Sequence, residues 1–258
     1  MRSMRLFMAT LFCICLVSCY EVNEEIVINE DGSGTYVSKM DMSQLIEMLQ
    51  TFAGDEALNK DGMDKLIDTT IMMKDILDTA KDVTAEQKEL LKDGKLSLQM
   101  NVKEKLFKLG INVPYKNYSG LQQLMAGESG SGAGLSSVLK NVFGKGDEQP
   151  NPDGPKEPDM DDFSKVYDVT IKNGLISKKL NEEKFKQLTD RPEMAQVKQF
   201  GGSGIEILYT TTFKLPRPVK KTDNPLLKLS DDKKTVTLKY NLLEILDSPD
   251  KFSFTIEY

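Results

Sequence analysis

The residues of this 258-residue chain that could do covalent chemistry are few, and they are unevenly placed. Its three thiols, Cys13, Cys15 and Cys19, all fall in the first nineteen residues, and Cys19 closes the run Leu16-Val17-Ser18-Cys19 where an apolar stretch meets the polar body. A thiolate is a nucleophile and a metal ligand. Beyond Cys19, however, there is no second cysteine with which to form a disulfide or a cysteine-based metal site. The chain has no histidine, which removes the usual general base and the commonest transition-metal ligand and excludes Ser-His-Asp and Cys-His nucleophiles. Carboxylates remain, and the adjacent pair Asp161 and Asp162 are the candidates for acid–base work in a hydrolase or transferase. Their place beside a Gly/Pro-rich stretch fits solvated acids equally well.

What positions Cys19 is the segment before it. Arg2 and Arg5 supply a basic start, and Leu6 to Val17 is a mostly apolar run of signal-peptide length, too short to span a bilayer comfortably. With that placement, Leu16-Val17-Ser18-Cys19 resembles the lipobox of bacterial lipoproteins. The resemblance implies cleavage between Ser18 and Cys19, acylation of the Cys19 thiol and of the new amino terminus, and a membrane anchor at the first mature residue. One acyl chain holds a protein only marginally, since each buried methylene contributes about 0.8 kcal/mol; two or three hold it firmly. The residue after the cysteine is Tyr20, not the aspartate that marks inner-membrane retention in the best-known sorting system, which points to the outer membrane. Acidic residues after Cys19 serve as a surface-export cue in some diderm lineages, so the leaflet stays open.

Composition narrows the partners. Without residues 1–18 the balance is 32 basic against 40 acidic side chains, a net charge of about −8. Such a body opposes the clustered Lys and Arg that phosphate neutralisation requires, so nucleic acid is not expected as a partner. The 240 residues after residue 18 suffice to bury roughly three quarters of their unfolded surface without staples. No later apolar run approaches spanning length. No cofactor or metal is expected. Gly127-Glu128-Ser129-Gly130-Ser131-Gly132-Ala133-Gly134 lacks the lysine of a phosphate-binding loop. Asn151-Pro152-Asp153-Gly154 fails as a calcium loop, with Gln149 and Met160 at the first and closing ligand positions.

The elements follow from hydrophobic period and turn chemistry. Residues 19–24 read as a polar tether. An N-terminal α+β half then covers 25–126. It opens with a strand over Glu25–Asn29, a glycine turn at Asp31–Gly34 and a returning strand over Thr35–Met40. Asp41 with Gln44 resembles a capping box ahead of Met42, Leu45, Ile46, Leu49 and Phe52 at helical spacing. Met63, Leu66, Ile67 and Ile71 continue that spacing, although Ile71-Met72-Met73 is ambiguous between helix and strand. Thr84 is placed to cap a helix to Leu91. Leu96 to Val102 and Phe107 to Tyr115 alternate as a strong hairpin, and Leu121, Leu124 and Met125 form a short helix.

Residues 127–160 are a Gly/Pro-rich linker or insertion. The C-terminal half, 161–258, repeats the plan. Tyr167, Val169 and Ile171 alternate up to Asn173-Gly174, a strong hairpin turn signal, and Leu175–Leu180 returns. Asn181 caps a helix with Phe185 and Leu188, and Pro192 starts one with Met194, Val197 and Phe200. Alternating runs over Ile205–Leu215, Val236–Tyr240 and Phe252–Tyr258 complete it. The expectation is an α+β protein of antiparallel hairpin-built sheet with helices on one face.

This layout resembles a loosely defined group of uncharacterised bacterial envelope lipoproteins: an early strand with an Asp-Gly-Ser-Gly turn, a middle helical region, an alternating strand pair, and a late stretch like Ser230-Asp231-Asp232-Lys233-Lys234. The group lends no activity. The functional expectation is therefore a non-enzymatic, lipid-anchored envelope protein, binding or accessory in role. Its partner would be a protein, glycan or lipid met by the sheet face or by the Met-rich helices. A carboxylate-dependent hydrolase or transferase is the alternative.

Overall fold

In the computed structural model, described for residues 20–44, 46, 66–77, 83–126, 162–202 and 206–258, two sheets face one another and share a core. The larger has eight strands. In chain order these are β1 (Tyr20–Ile28), β2 (Gly34–Asp41), β3 (Ile67–Met72), β4 (Lys95–Asn101), β5 (Leu106–Tyr115), β8 (Ile207–Lys214), β10 (Lys228–Leu229) and β11 (Thr235–Asn241). They lie in the order β10-β11-β8-β1-β2-β5-β4-β3. The smaller sheet takes β6 (Tyr167–Lys172), β7 (Leu175–Leu180), β12 (Phe254–Glu257) and β9 (Lys221–Thr222), in the order β6-β7-β12-β9.

Local chemistry accounts for the hairpins. Between β1 and β2, Gly32 takes φ 83 and Asp31 Oδ1 accepts from the Ser33 amide at 2.9 Å, an Asx turn that reverses the chain into the Ile28↔Gly34 register. At the β4–β5 turn, Asn101 Oδ1 accepts from the amides of Lys103 and Glu104, at 3.1 and 3.2 Å, and the strands pair from Asn101↔Leu106 to Lys95↔Asn112. Asn173-Gly174, with Gly174 at φ 81, joins β6 to β7.

Helices close the ends of the layers: α1 (Met73–Leu77), α2 (Ala85–Leu91), α3 (Tyr118–Met125), α4 (Asp162–Lys165), α5 (Glu182–Thr189) and α6 (Glu193–Gly202). Thr84 and Gln87 form the full capping box of α2, Asn117 caps α3 and Asn181 caps α5.

Alternation decides which face is dry. Val22, Ile26 and Ile28 of β1, Leu109, Ile111 and Val113 of β5, and Phe213, Val236 and Leu238 beside them are buried on the inner face of the large sheet. Against them pack Val169, Ile171, Ile176, Phe254 and Ile256 of the small sheet, with Phe213 and Phe254 edge to face at 5.9 Å. A second apolar cluster gathers Phe163, Tyr167, Leu188, Met194, Ile245 and Phe252 under α4, α5 and α6.

The α+β class is as expected, and four details depart from the sequence reading. β1 begins at Tyr20, so residues 20–24 are strand, with Val22 1% exposed; their acidic side chains disguised the alternation. Ile67–Met72 is strand β3, paired with β4, because β-branched Ile67, Thr69, Thr70 and Ile71 suit a half-buried ladder better than a helix. β8 runs parallel to β1 from Tyr20↔Ile207 to Val27↔Lys214, where only antiparallel hairpins were expected. The inner face is covered by a second sheet as well as by helices. Of the expected helix from Met42, Ser43, Gln44 and Ile46 are helical, with the Ser43 amide on Asp41 Oδ1 at 3.0 Å, and its remainder lies outside the described residues. The stretch 127–160 lies outside them too.

Candidate functional site

Ser18, Cys19 and Asp161 fall outside the described residues, so the cleavage and lipidation positions have no geometry here. Asp162 opens α4 and lines a groove of about 380 Å³ together with Asp168 of β6. Asp162 is 14% exposed and bridges Lys165 at 3.1 Å and Arg191 at 2.5 Å. Asp168 meets Lys184 at 2.8 Å and accepts from Asn181 at 3.0 Å, and the Lys184 contact, then Asn181, holds its carboxyl below the usual range. Carboxylate catalysis of glycosyl or acyl transfer needs one acid kept protonated beside one kept ionised. Here each carboxylate is engaged by cations of its own, Asp162 by Lys165 and Arg191 and Asp168 by Lys184.

The outer, wet face of the large sheet carries a larger concavity, a trough of about 610 Å³ running across β1, β2, β5, β4 and β3. The outward positions of five adjacent strands build it. Lys39, Lys95 and Lys108 stand among Glu21, Asp41 and Asp68, while Ser97, Gln99 and Asn112 add neutral donors and acceptors. Part of this charge is already matched: Lys108 reaches Asp41 at 3.3 Å, and Gln99 donates to Asp68 at 3.1 Å. Gly110 lies at the centre, and a Cβ there would meet the Ser97 hydroxyl, so the absence of a side chain deepens the floor. A surface of this kind binds by many shallow polar contacts.

The inner face holds a polar cluster that sequence reading did not find. Glu24 points inward from β1, in register with Ser38 on one side and Thr211 on the other. Its carboxylate accepts from Tyr36 Oη at 2.7 Å and from Thr211 Oγ1 at 2.9 Å. From the small sheet, Lys178 projects into the same 30 Å³ cavity, with its ammonium 4.4 Å from the centre of the Tyr167 ring. Burial pushes the Lys178 pKa down to about 8, with Glu24 opposing. Burial first, and Glu24 second, raise the phenols of Tyr209 and Tyr240 well above their ordinary range. The cavity has room for about one water, so the cluster is a joint between the two sheets and not a substrate pocket. The signal was present: stepping back by twos from Ile28 through Ile26 reaches Glu24 and then Val22.

Two other features of the described residues are part of the packing. Met73 is 1% exposed and lies against Gly94, a core filler, and Met72 ends β3; Met48 and Met63 of the same Met-rich region are outside the described residues. In the basic stretch Pro216–Lys221, Arg217 stacks over the Tyr258 ring at 5.5 Å and pairs with Asn173, and Lys220 Nζ donates to Tyr258 O at 3.2 Å. These cations clamp the last strand. Among the described residues no group of three acidic side chains could hold a metal ion, and no helix is long and apolar enough to cross a membrane.

No family model matches the chain, and no curated protein matches it. Among solved structures the chain is similar to the NMR structure of the folded domain of Mycobacterium tuberculosis LppM, with a TM-score of 0.34 and 10% identity over 93% of this chain and 91% of that one.

Proposed function

We propose that this chain is a lipid-anchored envelope protein that acts without catalysis, held to the membrane through Cys19 and meeting a partner across the open face of its large sheet. The anchor reading is supported by the basic start, the apolar run and Leu16-Val17-Ser18-Cys19 in that order within the first nineteen residues. The binding reading is carried by one observation, the 610 Å³ trough of mixed charge and amide groups on the wet sheet face. Carboxylate catalysis is the weaker reading, because Asp162 and Asp168 are each engaged by cations.

Two measurements test it. Cys19→Ala should leave an unprocessed precursor that takes up no fatty-acid analogue; undiminished labelling would end the anchor reading. A Gln99→Arg/Asn112→Arg variant, changed only at trough-lining positions, should lose the photo-crosslinked species that the acylated protein forms in intact envelopes. An unchanged crosslinking pattern would move the binding surface elsewhere.

A further inference from the structure

We propose that the protein stands end-on at the bilayer, resting on the end of the large sheet where β1 begins, with its strands rising away from the lipid and the turn Asn29–Ser33 farthest from it. The inference rests on acylation of Cys19 and goes beyond it, because an anchor alone fixes a distance and not an orientation.

The first support is the absence of slack. Consecutive Cα atoms lie about 3.8 Å apart, and Tyr20, the residue after Cys19, is already in the ladder opposite Ile207. A tether of several free residues would let the body tumble; here the residue next to the acylated one belongs to a strand paired on both sides. Because β8 runs parallel to β1, it also begins at this end, and β11 finishes here, at Asn241↔Leu208.

The second support is the fringe of partly exposed apolar side chains around the β1-start end. At the β1-start end, Tyr20, Met42, Leu106, Ile207 and Leu208 are all partly exposed. The most exposed large apolar side chain described, Leu66 at 60%, directly precedes β3 at the same end in register, where Ile67 pairs with Met100. The opposite ends of the strands meet the polar or glycine stretches Asn29–Ser33, Lys116-Asn117 and Ser230–Lys234, with Leu229, 40% exposed, beside the last of them. A tyrosine among partly exposed aliphatic side chains suits the headgroup layer, where one end of the ring is apolar and the other wet. Glu21, Glu244 and the exposed turn Lys103-Glu104-Lys105 at the same end bar deeper insertion, since charged side chains are costly to move into hydrocarbon. The surface that fits is therefore a zwitterionic bilayer touched at headgroup depth.

The chain has no tryptophan, so one substitution installs a unique fluorophore. Full-length acylated Leu208→Trp and Glu30→Trp proteins are reconstituted into phosphatidylcholine vesicles with and without lipids brominated near the headgroup. Leu208→Trp should show roughly a twofold loss of emission on bromination and Glu30→Trp none, since β1 separates the two ends by roughly 27 Å and bromine quenches near contact. Glu21→Trp, at an exposed position, repeats the near-end measurement should Leu208→Trp fail to fold. Equal quenching at both ends, as in a body lying flat, overturns the proposal. So does an unquenched near-end probe in protein whose intact mass shows the acyl chains and which floats with the vesicles; that result leaves the anchor standing. Protein without acyl mass that stays off the vesicles overturns both.

Discussion

Lys178 is the side chain whose protonation the fold changes most usefully for measurement. Its pKa is pushed down to about 8 by burial between the sheets, against an unfolded value near 10.4. Between those values the unfolded chain binds a proton that the folded chain has released, so unfolding free energy should rise with pH from about pH 8. Above about pH 10 the buried phenols of Tyr209 and Tyr240 act in the opposite sense. Their folded pKa values are raised, so the unfolded chain releases protons that the fold keeps, and stability should turn down. Urea midpoints measured from about pH 7 to pH 11 should therefore pass through a maximum, and Lys178→Met should flatten its rising limb. A rise of equal slope in that variant would assign the effect to another group. At the same joint, Tyr36→Phe or Thr211→Val removes one of the two hydroxyls that solvate Glu24, and each should cost about 1.5–3 kcal/mol in chemical denaturation, the range for hydrogen bonds to a charged group. Their effects should not add, because both act on one carboxylate. None of this was legible as a site. Glu24 reads as part of an acidic spacer until β1 is extended back to Tyr20, and Lys178 lies 154 positions further on, so its partner is fixed by tertiary structure alone.

The elements were read best where turn or cap chemistry is local. Asn173-Gly174, Asp31–Gly34 and the Thr84 cap each carry their instruction within a few residues and each formed as expected, the Thr84 cap being completed by Gln87 into a capping box. β3 was misread because Met63, Leu66, Ile67 and Ile71 fit a helical period. What makes it a strand is the open edge of β4, to which Thr69 and Thr70 pair at Leu98 and Ser97. Two glycines in these strands give a graded test of how tightly the ladders are built. A Cβ on Gly34 would strike the Val27 carbonyl oxygen and the Tyr115 hydroxyl, which donates to that same carbonyl at 2.6 Å. A Cβ on Gly110 would meet only the Ser97 side chain. Backbone cannot step aside and a serine rotamer can, so Gly34→Ala should cost about 3 kcal/mol or more and Gly110→Ala about 1 kcal/mol or less, by chemical denaturation. A reversed order would mean that β1 and β2 can separate more easily than their register implies. Gly110→Ala also narrows the floor of the trough, so it should weaken partner crosslinking more than it weakens the fold.

At the scale of the molecule, the β1–β8 ladder matters most, and a hairpin reading cannot supply it. The later part of β1 and most of β8 alternate well enough to be recognised alone, yet their pairing joins Tyr20–Ile28 to Ile207–Lys214 across most of the chain and is crossed by the Thr211–Glu24 hydrogen bond. Nothing local encodes that partner; it is selected by which inner faces fill one core, at a large cost in loop closure. The consequence is that β8, with β11 and β10 beyond it, belongs to the sheet begun by β1, while β6, β7 and β12 pack against its inner face. A protease site placed in the Gly127–Gly134 segment therefore offers a clean test. After cutting, fragments beginning and ending on either side should still co-elute in native gel filtration and part only in denaturant, because the interface between them is the β1–β8 ladder plus the core that joins Ile26, Val113 and Leu121 to Ile171 and Ile256. Pieces that separate without denaturant would show that each half holds its own core. The same experiment on Glu24→Leu, which keeps the volume but removes the charge facing Lys178, should yield fragments that also co-elute, since the apolar faces and not that charge supply most of the association.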